Sequence, residues 1–181
     1  MEQFYLNQED AVLLVIDVQE KLMVAMDYRE RLYKNTNLLL IAAEQLGLPV
    51  IVTEQYPTGL GRTVPELTLP EGHKLLEKTT FDAVRAGLLE ELEKTGRHTV
   101  LVCGTEAHVC IYQTVRGLLG HGYRVFPVQD AICSRFTPNY KSGLKLLGEM
   151  GATVITAEGA AFDLLKKAGG PGFKVISKAL K

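Results

Sequence analysis

Three reactive side chains stand where runs of strand length give out. Asp17 follows Ala11-Val12-Leu13-Leu14-Val15-Ile16, and Lys78 follows His73-Lys74-Leu75-Leu76-Glu77. Cys110 closes Gly104-Thr105-Glu106-Ala107-His108-Val109-Cys110, behind Val100-Leu101-Val102-Cys103. A thiol, an ammonium and a carboxylate together supply a nucleophile, an electrostatic stabiliser and an acid–base group. A cysteine in the first turn of a helix also faces unpaired N–H groups and the positive end of the macrodipole, so the thiolate is the expected form of Cys110. Each residue alone has a plainer reading. The cysteine could be an inert core residue, the aspartate a helix cap and the lysine a solvated strand exit.

The elements that must position them alternate regularly. Ala11–Ile16 reads as a strand covered on both faces, Lys34–Leu46 as an amphipathic helix stopped by Gly47 and Pro49, and Val50–Thr53 as the second strand. A long segment with Pro57, Gly59, Gly61, Pro65, Pro70 and Gly72 follows, as expected of a loop that covers a site. Its Gly59-Leu60-Gly61 lacks the flanking strand and helix of a dinucleotide fingerprint. His73–Glu77 is the third strand, and Asp82 is placed to cap a helix carrying Val84, Leu88, Leu89 and Leu92 that ends at Gly96. Thr99–Cys103 is the fourth strand, with a helix after Cys110. Tyr123–Val128 is the fifth, with Pro127 marking an irregular exit before Asp130. A helix over Tyr140–Met150, a sixth strand Thr153–Thr156, a helix over Ala160–Lys167 and a basic terminal helix from Phe173 to Leu180 complete the chain. The expected fold is α/β, a three-layer α/β/α domain over residues 1–181 with a six-stranded, mostly parallel sheet. Ligands of such sheets bind beyond the carboxyl ends of the strands, where Asp17, Lys78, Cys110 and Asp130 all arrive.

With those residues in place, the sequence resembles the isochorismatase-like cysteine hydrolases. The matching segments are Val15-Ile16-Asp17-Val18-Gln19, Lys78-Thr79-Thr80-Phe81 and Gly104-Thr105-Glu106-Ala107-His108-Val109-Cys110. The resemblance implies an Asp17, Lys78 and Cys110 triad, and a non-proline cis peptide joining Thr105 to Glu106. It also implies an oxyanion hole from the N–H groups of Glu106 and Cys110, and a homo-oligomer whose subunits complete one another's pockets. Nicotinamidases of the family carry an Asp-x-His metal motif after the second strand, where this chain has Thr53-Glu54-Gln55-Tyr56-Pro57. No metal and no cofactor are therefore expected. An intact cysteine favours a covalent acyl-enzyme route on a small amide, with vinyl-ether or ester hydrolysis, or a silent binding homologue, as alternatives. Gln19, Tyr56, Phe81 and His108 are candidates for substrate contact. Packing is the alternative for Tyr56 and Phe81, and a structural hydrogen bond for His108.

Composition narrows the partners. Of 181 residues 46% are apolar and 23% charged, with a net charge of −1, and no basic stripe of the kind a phosphate backbone demands is present. The densest basic segment, Lys166, Lys167, Lys174, Lys178 and Lys181, reads as a solvated face. A small-molecule substrate is expected, and nucleic acid is not. The Ala11–Ile16 run is too short to span a bilayer and no positive segment precedes it, so a cytoplasmic protein is expected. Three cysteines without scaffold spacing agree with a reducing compartment, and there is neither Cys-x-x-Cys nor His-x-x-x-His for a structural zinc.

Overall fold

Period-two alternation explains the central strand. Ala11, Leu13 and Val15 enter one apolar layer and Val12, Leu14 and Ile16 the other, so all six residues are buried. The computed structural model describes residues 1–180, and of Glu2 the backbone alone; Lys181 lies outside the described residues. The strands are β1 (Ala11–Ile16), β2 (Val50–Gln55), β3 (Lys74–Lys78), β4 (Thr99–Thr105) and β5 (Arg124–Cys133). They form a wholly parallel sheet in the order β3-β2-β1-β4-β5. Two short helices flank the site edge, α1 (Glu20–Met23) and α3 (Pro57–Leu60). α2 (Arg29–Leu46) packs on one face of the sheet, and α4 (Leu88–Thr95), α5 (Tyr112–Gly120) and α6 (Thr137–Glu149) pack on the other. α7 (Ala157–Leu165) and α8 (Phe173–Ala179) join α2, giving the expected three layers. No helix among the described residues is long and apolar enough to cross a membrane.

The sheet has five strands, not six. Thr153–Thr156 does run beside β5, with Thr153 N–H to Val125 O and Ile155 N–H to Pro127 O, but only the Val128–Ile155 bridge closes. The second bridge would need an N–H at position 127, and proline has none. The helix expected from Asp82 is also divided. Asp82 does cap, accepting from Val84 N–H at 2.9 Å, but it caps a 3₁₀ turn, Ala83–Ala86. Gly87, at φ 92, then restarts the chain as α4.

Strand order reverses between β1 and β4, and that switch point is where parallel sheets open a crevice. Ile16 is in register with Gly104 there. Gly104 adopts φ +117, and a Cβ at that position would lie 2.0 Å from Ile16 O. Glycine therefore lets the ends of β1 and β4 close on each other, which brings Asp17 and the Cys110 turn together.

Candidate active site

Asp17 is the first residue past β1 and is turned out of the strand at φ 51, a left-handed conformation that aspartate tolerates better than most residues. Its backbone is held on both sides: its N–H donates to Thr53 O at 3.1 Å, and its carbonyl accepts from Thr105 Oγ1 at 2.7 Å. The carboxylate accepts from Thr53 Oγ1 on Oδ1 and from Lys78 Nζ on Oδ2, both at 2.6 Å. Neither side chain of the Asp17–Lys78 pair touches solvent. Lys78 Nζ also donates to Gln55 Oε1 at 2.7 Å. A buried pair of this kind persists only where further hydrogen bonds satisfy both charges, and Thr53 and Gln55 supply them.

Cys110 sits in a turn of unusual form. The Thr105–Glu106 peptide is cis, and Ala107–Ile111 is a single π-helical turn leading into α5. One extra residue per turn is a device common at functional sites, because it re-aims a side chain without breaking the helix. Two clamps hold this turn to the β5–α6 connection. Ser134 Oγ accepts from Ala107 N–H at 3.1 Å and meets His108 Nδ1 at 3.2 Å, while Asn139 Nδ2 meets His108 Nε2 at 3.3 Å. On the other side the Glu106 carboxylate accepts from Arg135 N–H and Nε at 3.0 and 3.2 Å. Gly143 of α6 presses on the turn as well, since a Cβ there would come within 2.7 Å of the Ala107 carbonyl carbon. The N–H of Glu106 itself has no protein acceptor among the described residues.

The electrostatics correct one expectation. Burial, then the neighbouring Asp17 charge, push the Cys110 thiol up to about 12 against the opposing influence of Lys78. A hydrogen bond to Asp17 and the charge of Glu106 act in the same upward direction. The resting group is therefore the thiol, not the thiolate that a helix N-terminus alone would favour.

The isochorismatase domain profile matches residues 11–159. The chain belongs to the isochorismatase family. Isochorismatase domain-containing protein 2 of Homo sapiens is 40% identical over 172 residues, covering 94% of this chain and 83% of that protein. The secreted isochorismatase effector Isc1 of Phytophthora sojae is 37% identical, covering 94% of this chain and 84% of its own. Among solved structures, the MAR1 ribonuclease of Caenorhabditis elegans superposes with a TM-score of 0.92 at 35% identity, covering 97% of this chain and 92% of that one.

In this isochorismatase-family chain, Asp17, Lys78 and Cys110 converge, and the remaining sequence candidates divide. Gln19 is wholly buried, its amide engaged by Gln55 and Gly61, so it braces the site and does not wall it. His108 has both ring nitrogens engaged by Ser134 and Asn139, which makes it part of the turn's clamp. Tyr56, mostly exposed, borders a cavity of about 380 Å³ with Pro57, Thr58, Glu77, Lys78 and Thr79, whereas Phe81 is half-exposed outside it. Asp130 caps α7 by accepting from Ala157 N–H at 2.8 Å. Cys103 and Cys133 are buried and unpaired. Sequence reasoning missed Thr53, Gln55, Ser134, Arg135 and Asn139. For Thr53 and Gln55 a signal existed, since polar residues continuing an apolar parallel strand must have partners inside the protein.

Proposed function

We propose that this chain is a cysteine hydrolase that cleaves a small amide or a related carbon–nitrogen bond through a thioester intermediate. The observation that carries the proposal is the solvent-free Asp17–Lys78 pair set against the buried thiol of Cys110. In the first step Cys110 Sγ attacks the carbonyl carbon as its proton passes to Asp17. The developing oxyanion lies against the N–H groups of Glu106 and Cys110, and the former's lack of a protein acceptor supports that role. Collapse breaks the C–N bond, and the departing nitrogen takes the proton from Asp17. Water then attacks the thioester, giving up a proton to Asp17. Collapse breaks the C–S bond, the leaving sulfur takes that proton from Asp17, and the carboxylic acid product departs with the free thiol and the Asp17 carboxylate restored. Lys78 holds the Asp17 carboxylate in position and balances the negative charge that passes from Asp17 to sulfur.

The test is an amide panel followed with intact-mass detection of a covalent adduct. The expected result is turnover with a trapped acyl-enzyme that disappears in Cys110→Ala. Undiminished activity in Cys110→Ala would falsify the covalent route. The name of the Phytophthora sojae relative, an isochorismatase effector, favours a second reading in which the scissile bond is a vinyl ether. Under it Asp17→Ala abolishes activity and Cys110→Ala leaves part of it. RNA belongs in the same panel, because the Caenorhabditis elegans relative is described as a ribonuclease. Three unpaired thiols suit a reducing, cytoplasmic compartment. A homo-oligomer completes the proposal, with the exposed Tyr56, Phe81 and Phe136 rings as the surface it covers; a monomer by light scattering would remove that part.

A further inference from the structure

A buried ammonium has three donors to satisfy, and Lys78 uses only one on its counter-ion. A second goes to Gln55 Oε1 at 2.7 Å. That amide is locked, because its Nε2 donates to Thr79 O at 2.8 Å, one residue beyond Lys78. The backbone of Gln55 is locked too: its N–H donates to Gln19 Oε1 at 2.7 Å, and its carbonyl accepts from Gln19 Nε2 at 3.0 Å. The same Nε2 reaches Gly61 O at 2.7 Å. Two glutamines therefore tie the last residue of β2, the last residue of β3 and the segment after α3 into one polar unit that ends on the lysine. Glutamine differs from glutamate there in charge more than in shape. A neutral acceptor satisfies the ammonium without adding a second carboxylate beside Asp17.

We infer that Gln55 is a positioning residue for the reaction, fixing Lys78 Nζ against Asp17 while leaving the lysine's charge to Asp17 and the Cys110 sulfur, with Gln19 holding Gln55 in place. The inference rests on the Asp17, Lys78 and Cys110 reading above. The charged groups acting on the sulfur are Asp17, Lys78 and Glu106. Glu106 is paired with Arg135, and on the adjoining strands Glu54 and Glu77 both pair with Arg62. No other carboxylate is hydrogen-bonded to Lys78 among the described residues, so one introduced at position 55 adds a charge the site is built without.

Two substitutions test this. In Gln55→Glu the protonated carboxyl reproduces both bonds, donating to Thr79 O and accepting from Lys78, whereas the ionised form sets an oxygen against the Thr79 carbonyl and a second negative charge on the lysine. Its turnover should match wild type at the acid end of the profile and fall about tenfold below it as the carboxyl ionises. Gln55→Met, of similar volume and with no such acceptor, should be about tenfold slower at every pH. A purely structural glutamine would give a constant ratio of Gln55→Glu to wild type across pH, which overturns the inference. Iodoacetamide labelling of Cys110 against pH needs no substrate and separates the two readings. The labelling profile should move to higher pH in both variants, and an unmoved profile in folded Gln55→Met overturns the inference even where Gln55→Glu does not fold. If Lys78→Met moves the profile and neither Gln55 variant does, Gln55 loses its role and the triad stands. If none of them moves it, the triad reading falls as well.

Discussion

β1 carries an aspartate at each end, and both are equipped alike. Asp10, just before the strand, accepts from Thr99 Oγ1 and from Arg124; Asp17, just after it, accepts from Thr53 Oγ1 and from Lys78. The contrast is in water and in what stands nearby. The Asp10 and Arg124 side chains are 28% and 34% exposed, whereas Asp17 and Lys78 are sealed. Hydrogen bonds from Thr99, His98 N–H and Arg124 outweigh the partial burial of Asp10 and hold its carboxyl below the ordinary range, as in a surface staple. Asp17 faces a thiol instead. A threonine, an aspartate and a cation make a fastening at one end of the strand and, at the other, a solvent-free pair beside a buried thiol.

Breaking the pair at each end should give unequal losses. Asp17→Asn leaves the Lys78 charge buried without a counter-ion and should cost about 3–5 kcal/mol by chemical denaturation. The double variant Asp17→Asn with Lys78→Met should recover most of that. Asp10→Asn should cost about 1 kcal/mol or less, since water screens and replaces the lost partner. Equal costs at the two ends would remove burial as the distinction between them. A second contrast is chemical. Asp17→Asn removes the charge and the hydrogen bond that push the Cys110 thiol up, so its labelling should shift to lower pH while turnover is lost; Asp10→Asn should change neither. A Cys110 profile that moves upward in Asp17→Asn would contradict the assignment of Asp17 as the proton acceptor. The smallest effect concerns acid. A carboxyl depressed in the folded state contributes stability that is present above its unfolded value of about 3.9 and is lost as pH falls through the lower folded value. Asp10→Asn should accordingly flatten the loss of stability below about pH 4 in an acid titration followed by circular dichroism.

Much of this was legible in the chain. The runs of strand length marked six strands, of which five form the sheet, and Pro127, expected as an irregular exit, is the residue that denies Thr153–Thr156 a second bridge. Strand ends were misjudged where function lies. Val50–Thr53 and Thr99–Cys103 each run two residues further, to Gln55 and Thr105, because hydrogen bonds and not hydrophobicity bury those last residues. That Asp17, Lys78 and Cys110 come together could be expected from their places at strand ends and from the resemblance, whereas the ionisation of Cys110 could not. A helix N-terminus suggests a thiolate, and only the three-dimensional surroundings reveal burial and a neighbouring carboxylate that outweigh it. Gln19 lies in the motif beside Asp17, which made it a substrate candidate. Its partners, Gln55 and Gly61, are 36 and 42 residues away, beyond the reach of local pattern.

Gly104 puts a different kind of limit on this protein. It carries no reactive group, yet any side chain there would meet the Ile16 carbonyl at 2.0 Å. A protein engineer has the exposed rings of Tyr56, Phe81 and Phe136 to vary. Position 104 admits one, so the distance between Asp17 and the Cys110 turn is set through a residue that contributes to the site only the space it leaves empty.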